Sequence, residues 1–177
     1  MSLKKSRMHS YAIRPLGLVG LQYVNLTLLT LLMLPIWGCT QPAKSSAPAV
    51  VFVCEHGAAK SVIAAAYFNK LAAERHLNFH AVARGLTPQP ELSSSAVAGL
   101  EKDGVPFTNE QPRRLSLEEA RTAVRVVAFC PIPKGLAEGR LQSFDVPAPN
   151  EGYSTSRDAI LVPVKALVDE LASRNGN

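Results

Sequence analysis

The stretch FVCEHGAAKS (52–61) holds three side chains whose types and spacing could support nucleophilic chemistry. Cys54 ends a run of apolar, β-branched residues, and Lys60 and Ser61 open the alanine-rich segment that follows. A buried strand that ends just before a helix leaves free backbone N–H groups in the connecting loop, and the helix dipole favours negative charge there. A thiolate beside a bound oxyanion is a nucleophile already in position. The spacing therefore predicts that Cys54 attacks a tetrahedral oxyanion such as a phosphoryl group.

The residues around Cys54 have separate predicted roles. Lys60 would attract the oxyanion by its charge, and Ser61 would donate a hydrogen bond to the thiolate and help it leave again. The predicted anion-binding loop consists of Glu55, His56, Gly57, Ala58 and Ala59. Two simpler interpretations stay open at this point, an inert cysteine at a strand end and a loop histidine that is only solvated.

Strand-like and helix-like segments alternate after residue 49. Short β-branched runs predict strands, and apolar residues near helical spacing predict helices. The predicted strands are Val50–Val53, Phe79–Val82, Val124–Phe129 and Leu141–Phe144. The predicted helices are Lys60–His76, Leu92–Lys102, a short one opened by the capping-box pair Ser116 and Glu119, and Thr155–Ser173, which Pro163 should kink or delay. This alternation predicts an α/β fold with a parallel, doubly wound sheet and a ligand site at the carboxyl ends of the strands.

The loop from Cys54 to Ser61 resembles the Cys-x5-Arg-Ser loop of the low-molecular-weight protein tyrosine phosphatases and the related thioredoxin-coupled arsenate reductases. Further similar segments follow in the family's order: ARGLTP (83–88), GLEKDGVPFTNEQPRRLSLEEA (99–120), VRVVAFC (124–130), FDVPAP (144–149) and YSTSRDAI (153–160). The resemblance covers nearly all of the chain after residue 49. It implies a three-layer α/β sandwich with a four-stranded parallel sheet flanked by helices, which agrees with the alternation of elements.

In that family the loop cysteine attacks phosphorus, and an aspartate in an Asp-Pro element protonates the leaving oxygen. The resemblance assigns the role of this proton donor to Asp145, although Val146 here separates the acid from Pro147. It also places Lys60 where the family has an arginine, whose planar guanidinium grips two phosphate oxygens at once. An ammonium keeps the positive charge but cannot form the two parallel hydrogen bonds of a guanidinium, so we expect weaker stabilisation of the transition state.

The predicted function is a phosphoric monoester hydrolase that forms a phosphocysteine on Cys54 and acts on a phosphorylated small molecule or a phosphoprotein. Arsenate reduction is the first alternative, because the resemblance implies a redox role for Cys130 through a Cys54–Cys130 disulfide, although the family's three-thiol relay is absent. A non-catalytic domain that binds phosphate or arsenate is the second, and an inactive relative is a third. The simplest interpretation of Cys130 is a buried strand-end thiol. No cofactor and no metal site is predicted.

The first 38 residues have the order of a secretory signal: basic residues, the apolar run Leu16–Trp37, and Gly38 directly before Cys39. A cysteine after a small residue resembles a bacterial lipobox, in which Cys39 would be acylated. An uncleaved membrane anchor is the alternative. Either interpretation predicts an extracytoplasmic, membrane-anchored protein.

The predicted organisation is a targeting segment (1–38), a linker (39–48) and a phosphatase-like domain (49–177). The chain carries 19 Lys and Arg against 14 Asp and Glu, and the targeting segment contains basic residues but no acid. Without that segment, the net charge of +5 falls to about +1. A nearly neutral domain gives no support to a nucleic-acid partner.

Overall fold

The structure is a computed structural model that describes residues 49–175. The predicted targeting segment, the acylation of Cys39 and the linker lie outside these residues. Among the described residues, no helix is long and apolar enough to cross a membrane. The strands are β1 (Ala49–Cys54), β2 (His80–Gly85), β3 (Arg125–Ala128) and β4 (Leu141–Ser143). The helices are α1 (Lys60–Glu74), α2 (Ser94–Lys102), α3 (Leu117–Thr122) and α4 (Tyr153–Asn175), with a 3₁₀ turn at Pro149–Glu151.

The four strands form one parallel sheet in the order β2-β1-β3-β4. The central strand β1 pairs with β2 along its whole length, so that Cys54 lies opposite Gly85. On its other side Val53 lies opposite Ala128 of β3. An uninterrupted β-branched run suits this central place, because its side chains fill both faces of the sheet. The predicted four-stranded parallel sheet is confirmed.

The side chains of β1 alternate between two apolar clusters, one on each face of the sheet. Val50 and Phe52 pack with residues of α1, α2 and α4, whereas Val51 and Val53 pack with residues of and around α3. The Phe52 ring stacks on Phe129, with ring centroids 6.2 Å apart. Helices on both faces make the three layers that the sequence predicted.

The short helix α3 begins as the capping-box pattern predicted. The Ser116 hydroxyl accepts a hydrogen bond from the Glu119 N–H at 3.1 Å, and the Glu119 carboxylate accepts one from the Ser116 N–H at 3.0 Å. The same carboxylate forms an ion pair with Arg84 of β2, and together these contacts hold the pKa of Glu119 below its usual value against the opposing effect of burial. The helix is therefore tied to the sheet it covers.

Most predicted boundaries differ from the observed ones by one or two residues, and two elements show why. The second strand begins one residue later than expected and continues to Gly85, because Ala83 and its neighbours pair with the end of β1. The last helix begins at Tyr153 and continues through Pro163 without a late start. Pro163 is buried beside Val164 of the core, and this burial offsets the helical hydrogen bond that proline cannot make.

A polar cluster fixes the start of α4. One carboxylate oxygen of Asp103 accepts hydrogen bonds from the hydroxyls of Tyr67 (2.6 Å) and Tyr153 (2.9 Å) and from the Arg157 guanidinium (3.0 Å). The Tyr153 ring lies so close to Gly99 that a Cβ there would come within 2.2 Å of it. The bond from Tyr67 is the largest of the causes that lower the pKa of Asp103. The cluster joins α1, the end of α2 and α4.

We predict that Asp103→Asn lowers the free energy of unfolding at pH 7 by about 1.5–3 kcal/mol, the range for hydrogen bonds to a charged group. Because the folded-state pKa of Asp103 is lowered, its contribution is present above the unfolded pKa of about 3.9 and is lost as the pH falls through the folded value. Urea unfolding at pH 7 and at about pH 2.5 measures both effects. The difference between the variant and the natural protein should shrink in acid.

Asp158→Asn is the matched control, since the Asp158 side chain is 65% exposed and, among the described residues, its one ion pair is with Arg157. It should change the unfolding free energy by less than about 0.5 kcal/mol. Equal losses for the two variants would contradict the assigned role of the Asp103 cluster.

Candidate active site

Cys54 is the last residue of the central strand, at the carboxyl edge of the sheet. Its side chain is buried, and α1 begins at Lys60 after the loop of residues 55–59. The sequence predicted this strand-loop-helix order around the thiol. A parallel sheet places ligand sites at this edge because several strand ends and helix starts converge there.

Most carbonyls of the loop accept hydrogen bonds, whereas its N–H groups have no partner in the part of the chain that the structure describes. The carbonyls of Glu55, His56 and Ala58 accept hydrogen bonds from N–H groups of the segment after β2, at 2.8–3.3 Å. The N–H groups of residues 55–59 donate to no other group among the described residues. Free N–H groups at the start of a helix form a concave site for an anion.

Gly57 allows the loop to turn in this way. It has a φ of +65°, which a residue with a side chain rarely adopts. A Cβ at Gly57 would lie 2.7 Å from the backbone nitrogen of Gly85, and a Cβ at Gly85 would lie 2.7 Å from the nitrogen of Gly57. Two glycines from different elements therefore let the loop pack directly on the end of β2.

Ser61 is fully buried beneath the thiol. Its hydroxyl oxygen is 3.2 Å from the Cys54 sulfur. When the sulfur is a thiolate, the hydroxyl must be the donor, because a thiolate has no proton to give. The structure thus places the Ser61 hydroxyl against the Cys54 sulfur, and the bond would stabilise a thiolate there.

A cavity of about 850 Å³ opens above Cys54. The thiol loop and the segment Gln89–Ser94 after β2 form two of its walls. Ala148, Pro149 and Asn150 form a further wall, and Phe129 lies at its edge. The cavity is large enough for a phosphoryl group together with the group that carries it.

Lys60 lines this cavity but also has a protein partner that the sequence did not reveal. Its ammonium donates to the Val146 carbonyl at 2.5 Å. Lys60 was predicted to be a cation for the oxyanion, and the structure shows that one of its three N–H groups is used by the loop opposite. An ammonium has tetrahedral donors, so the other two N–H groups can still serve an anion.

The structure does not bring Asp145 to the cavity. Its side chain is exposed, while Val146 beside it is buried in the core. In extended chain, successive side chains point to opposite sides, so Val146 and Ala148 face inward and Asp145 faces solvent. The residue of this loop that does line the cavity is Ala148, which directly precedes Pro149.

The remaining predicted residues lie around the rim or behind it. Glu55 accepts a hydrogen bond from the Thr87 hydroxyl at 2.6 Å, and the Nδ1 of His56 is 3.2 Å from the Thr87 carbonyl. Cys130 follows β3 and does not line the cavity. Its pKa is raised to about 11, chiefly by burial, with smaller contributions from the charges of Cys54 and Glu55.

Sequence reasoning missed Thr87, Val146 and Ala148. One signal for Val146 was present in the sequence, because it separates Asp145 from the proline that the family pattern places next to the acid. An apolar residue inserted in a loop favours burial of its side chain in the core. Among residues 49–175, no three His, Cys, Asp or Glu side chains are grouped so that they could hold a metal ion.

No protein-family model matches the chain, and no curated protein sequence matches it. Solved structures do. They include a low-molecular-weight protein tyrosine phosphatase from Bacillus subtilis, with a TM-score of 0.61, 20% identity, and coverage of 73% of this chain and 99% of that one. An arsenate reductase from Archaeoglobus fulgidus has a TM-score of 0.53 and 22% identity, with coverage of 70% and 98%.

A third similar structure is the YwlE arginine phosphatase, in a Cys-to-Ser form with a phosphorylated active-site serine. It has a TM-score of 0.57 and 19% identity, and covers 71% of this chain and 94% of that one. The chain therefore has the fold that low-molecular-weight phosphatases and arsenate reductases share, and the predicted fold is confirmed.

We predict that Gly57→Ala weakens phosphate binding at least tenfold, because a Cβ would push the loop away from Gly85 and disturb its free N–H groups. The measurement is the rise in Tm that phosphate produces, which reports binding to the folded state. Gly104→Ala is the control. Gly104 has nearly the same φ, +62°, but nothing lies within 4 Å of a Cβ there. Loss of the phosphate response in both variants, or in neither, would contradict the role assigned to this loop.

Proposed function

We propose that this protein is a cysteine-dependent phosphatase that transfers a phosphoryl group to Cys54 and then to water. The observation that carries the proposal is a buried thiol that lines a cavity, is hydrogen-bonded to Ser61, and directly precedes a loop whose N–H groups have no partner among the described residues. Tyrosine and arginine phosphatases with the same fold support it. The phosphoserine in one of them marks the place where a phosphoryl group is received.

The geometry supports a two-step transfer. The Cys54 thiolate attacks phosphorus, so that an S–P bond forms and the bond to the leaving group breaks. The loop N–H groups and the free N–H groups of Lys60 stabilise the charge on the equatorial oxygens. Water then attacks phosphorus, the S–P bond breaks, and Ser61 donates its hydrogen bond to the departing thiolate. Inorganic phosphate leaves and the free enzyme is restored.

Arsenate reduction is a second candidate, because an arsenate reductase shares the fold and the loop would hold arsenate as it holds phosphate. That reaction needs a second thiol to attack the Cys54–arsenic adduct. Among the described residues Cys130 is the only other cysteine. Cys130 does not line the cavity, and burial raises its pKa to about 11, which disfavours the thiolate that would have to attack. We therefore favour phosphatase activity.

We predict that the purified protein hydrolyses an aryl phosphate under reducing conditions. Cys54→Ser should remove turnover and accumulate a phosphoserine that mass spectrometry detects, since an alkoxide is a far worse leaving group than a thiolate. Cys130→Ser should keep turnover within about twofold. Turnover in Cys54→Ser would exclude the mechanism, and phosphate binding without turnover in the natural protein would favour a non-catalytic oxyanion-binding domain.

We also propose that the protein is held at the outer face of a bacterial membrane by a lipid on Cys39. The support is the sequence order of residues 1–38, with basic residues before an apolar run and Gly38 before the cysteine. Palmitate labelling of the full chain in a bacterial host, with Cys39→Ala as control, tests this directly. Equal labelling of the two proteins, or a mature chain that starts elsewhere, would exclude it.

A further inference from the structure

We propose that this site is specific for phosphoryl compounds whose leaving group departs as a stable anion, acyl phosphates above all, because loop 144–149 points Ala148 instead of Asp145 into the cavity. This inference rests on the proposed function and adds the chemical class of its substrate. The substrate class is inferred from the contacts that fix loop 144–149, and not from the position of the Cys54 thiol.

Two side chains hold consecutive carbonyls of loop 144–149. The Lys60 ammonium donates to the Val146 carbonyl at 2.5 Å, and the Ser156 hydroxyl donates to the Pro147 carbonyl at 2.7 Å. Ser156 is fully buried, and Val146 is 5% exposed within the main core. The loop is thus fixed at both carbonyls and by one buried side chain.

This arrangement sets which residues face the thiol. To turn Asp145 into the cavity, the chain would have to withdraw Val146 from the core and break the bonds to Lys60 and Ser156. Burial of a valine side chain and two hydrogen bonds with buried or charged partners oppose that change. The cavity wall from this loop therefore offers the methyl group of Ala148 and no acid.

The carboxylates that do line the cavity belong to Glu55 and Glu91. The Glu55 carboxylate accepts a hydrogen bond from the Thr87 hydroxyl, which directs it toward the segment after β2 rather than toward loop 144–149. Glu91 is exposed on that same segment. Neither replaces a proton donor on the wall that carries Ala148, and Glu91 is tested directly below.

The chemistry of the leaving group gives the substrate class. A positioned general acid typically contributes about 10²–10⁴ in rate, and most where the leaving group is a strong base. A tyrosine phenolate is the anion of an acid with a pKa of about 10, and an alkoxide is more basic still, so both depend on a general acid to leave. A carboxylate is the anion of an acid with a pKa of about 4 and leaves without one. For an acyl phosphate, the S–P bond forms as the P–O bond breaks and the electron pair leaves with the carboxylate. Water then supplies both protons and the oxygen of the released dihydrogen phosphate, so no protein acid is consumed.

The experiment measures kcat/KM of the full protein for aryl phosphates of increasing phenol basicity and for acetyl phosphate. We expect a steep fall of log kcat/KM with the leaving-group pKa, and acetyl phosphate as a better substrate than phenyl phosphate by at least 10². Asp145→Asn should leave this dependence unchanged. Ala148→Asp should raise the rate on phenyl phosphate by about 10² and flatten the dependence. Ala148→Asn, which has the same shape but no acid proton, should not.

A shallow dependence in the natural protein would overturn the inference. If Asp145→Asn then made it steep, Asp145 would be the acid, and if Glu91→Gln did so, Glu91 would be. The proposed function fails by a different result: no aryl or acyl phosphate is turned over, or turnover survives in Cys54→Ser. The experiment can therefore distinguish a failure of the inferred substrate class from a failure of the proposed function.

Discussion

The contact between Gly57 and Gly85 is the constraint on which the site depends. These two backbone segments approach so closely that neither position has room for a Cβ. The approach lets N–H groups of the segment after β2 donate to three carbonyls of the thiol loop, while the N–H groups of residues 55–59 have no partner among residues 49–175. The loop can therefore turn its unpaired N–H groups to an anion while its carbonyls are bonded on the other side. Cys54 directly precedes this loop, its hydrogen-bond partner Ser61 lies just after it, and the loop lines the cavity.

Local signals in the sequence were enough to predict the fold and the part of the site formed by Cys54, the loop after it and Ser61. The β-branched run before Cys54, the glycine in the loop and the Ser116–Glu119 pair each act over a few residues, and the structure has each element where they predicted it. The hydrogen bond between Ser61 and Cys54 also follows from local geometry, because one strand end and one helix start fix both residues.

The other half of the site depends on contacts between distant parts of the chain. Lys60 and Val146 are 86 positions apart, and no periodicity in either segment reveals that an ammonium of one meets a carbonyl of the other. The direction of Asp145 depends on the burial of its neighbour, which is decided by the core and not by the motif. The family pattern pointed to an acid in this loop, but it could not show which side of the chain that acid faces once a residue is inserted after it. The Val146 carbonyl gives lysine at position 60 a structural role, because the ammonium donates one of its three N–H groups to it.

The two sides of the cavity are built on supports of different rigidity. Cys54 ends a strand that is paired on both sides and packed on both faces. The opposite wall follows β4, a three-residue edge strand, and continues as irregular chain into the turn at Pro149–Glu151. Backbone opening is least frequent in central strands and most frequent in such peripheral segments. The bonds to Lys60 and Ser156 hold residues 146 and 147 of that wall, so the part of it that is free to adjust is the chain from Ala148 through the turn. A pocket whose thiol lies on the more rigid side should admit acyl groups of different bulk without moving the sulfur.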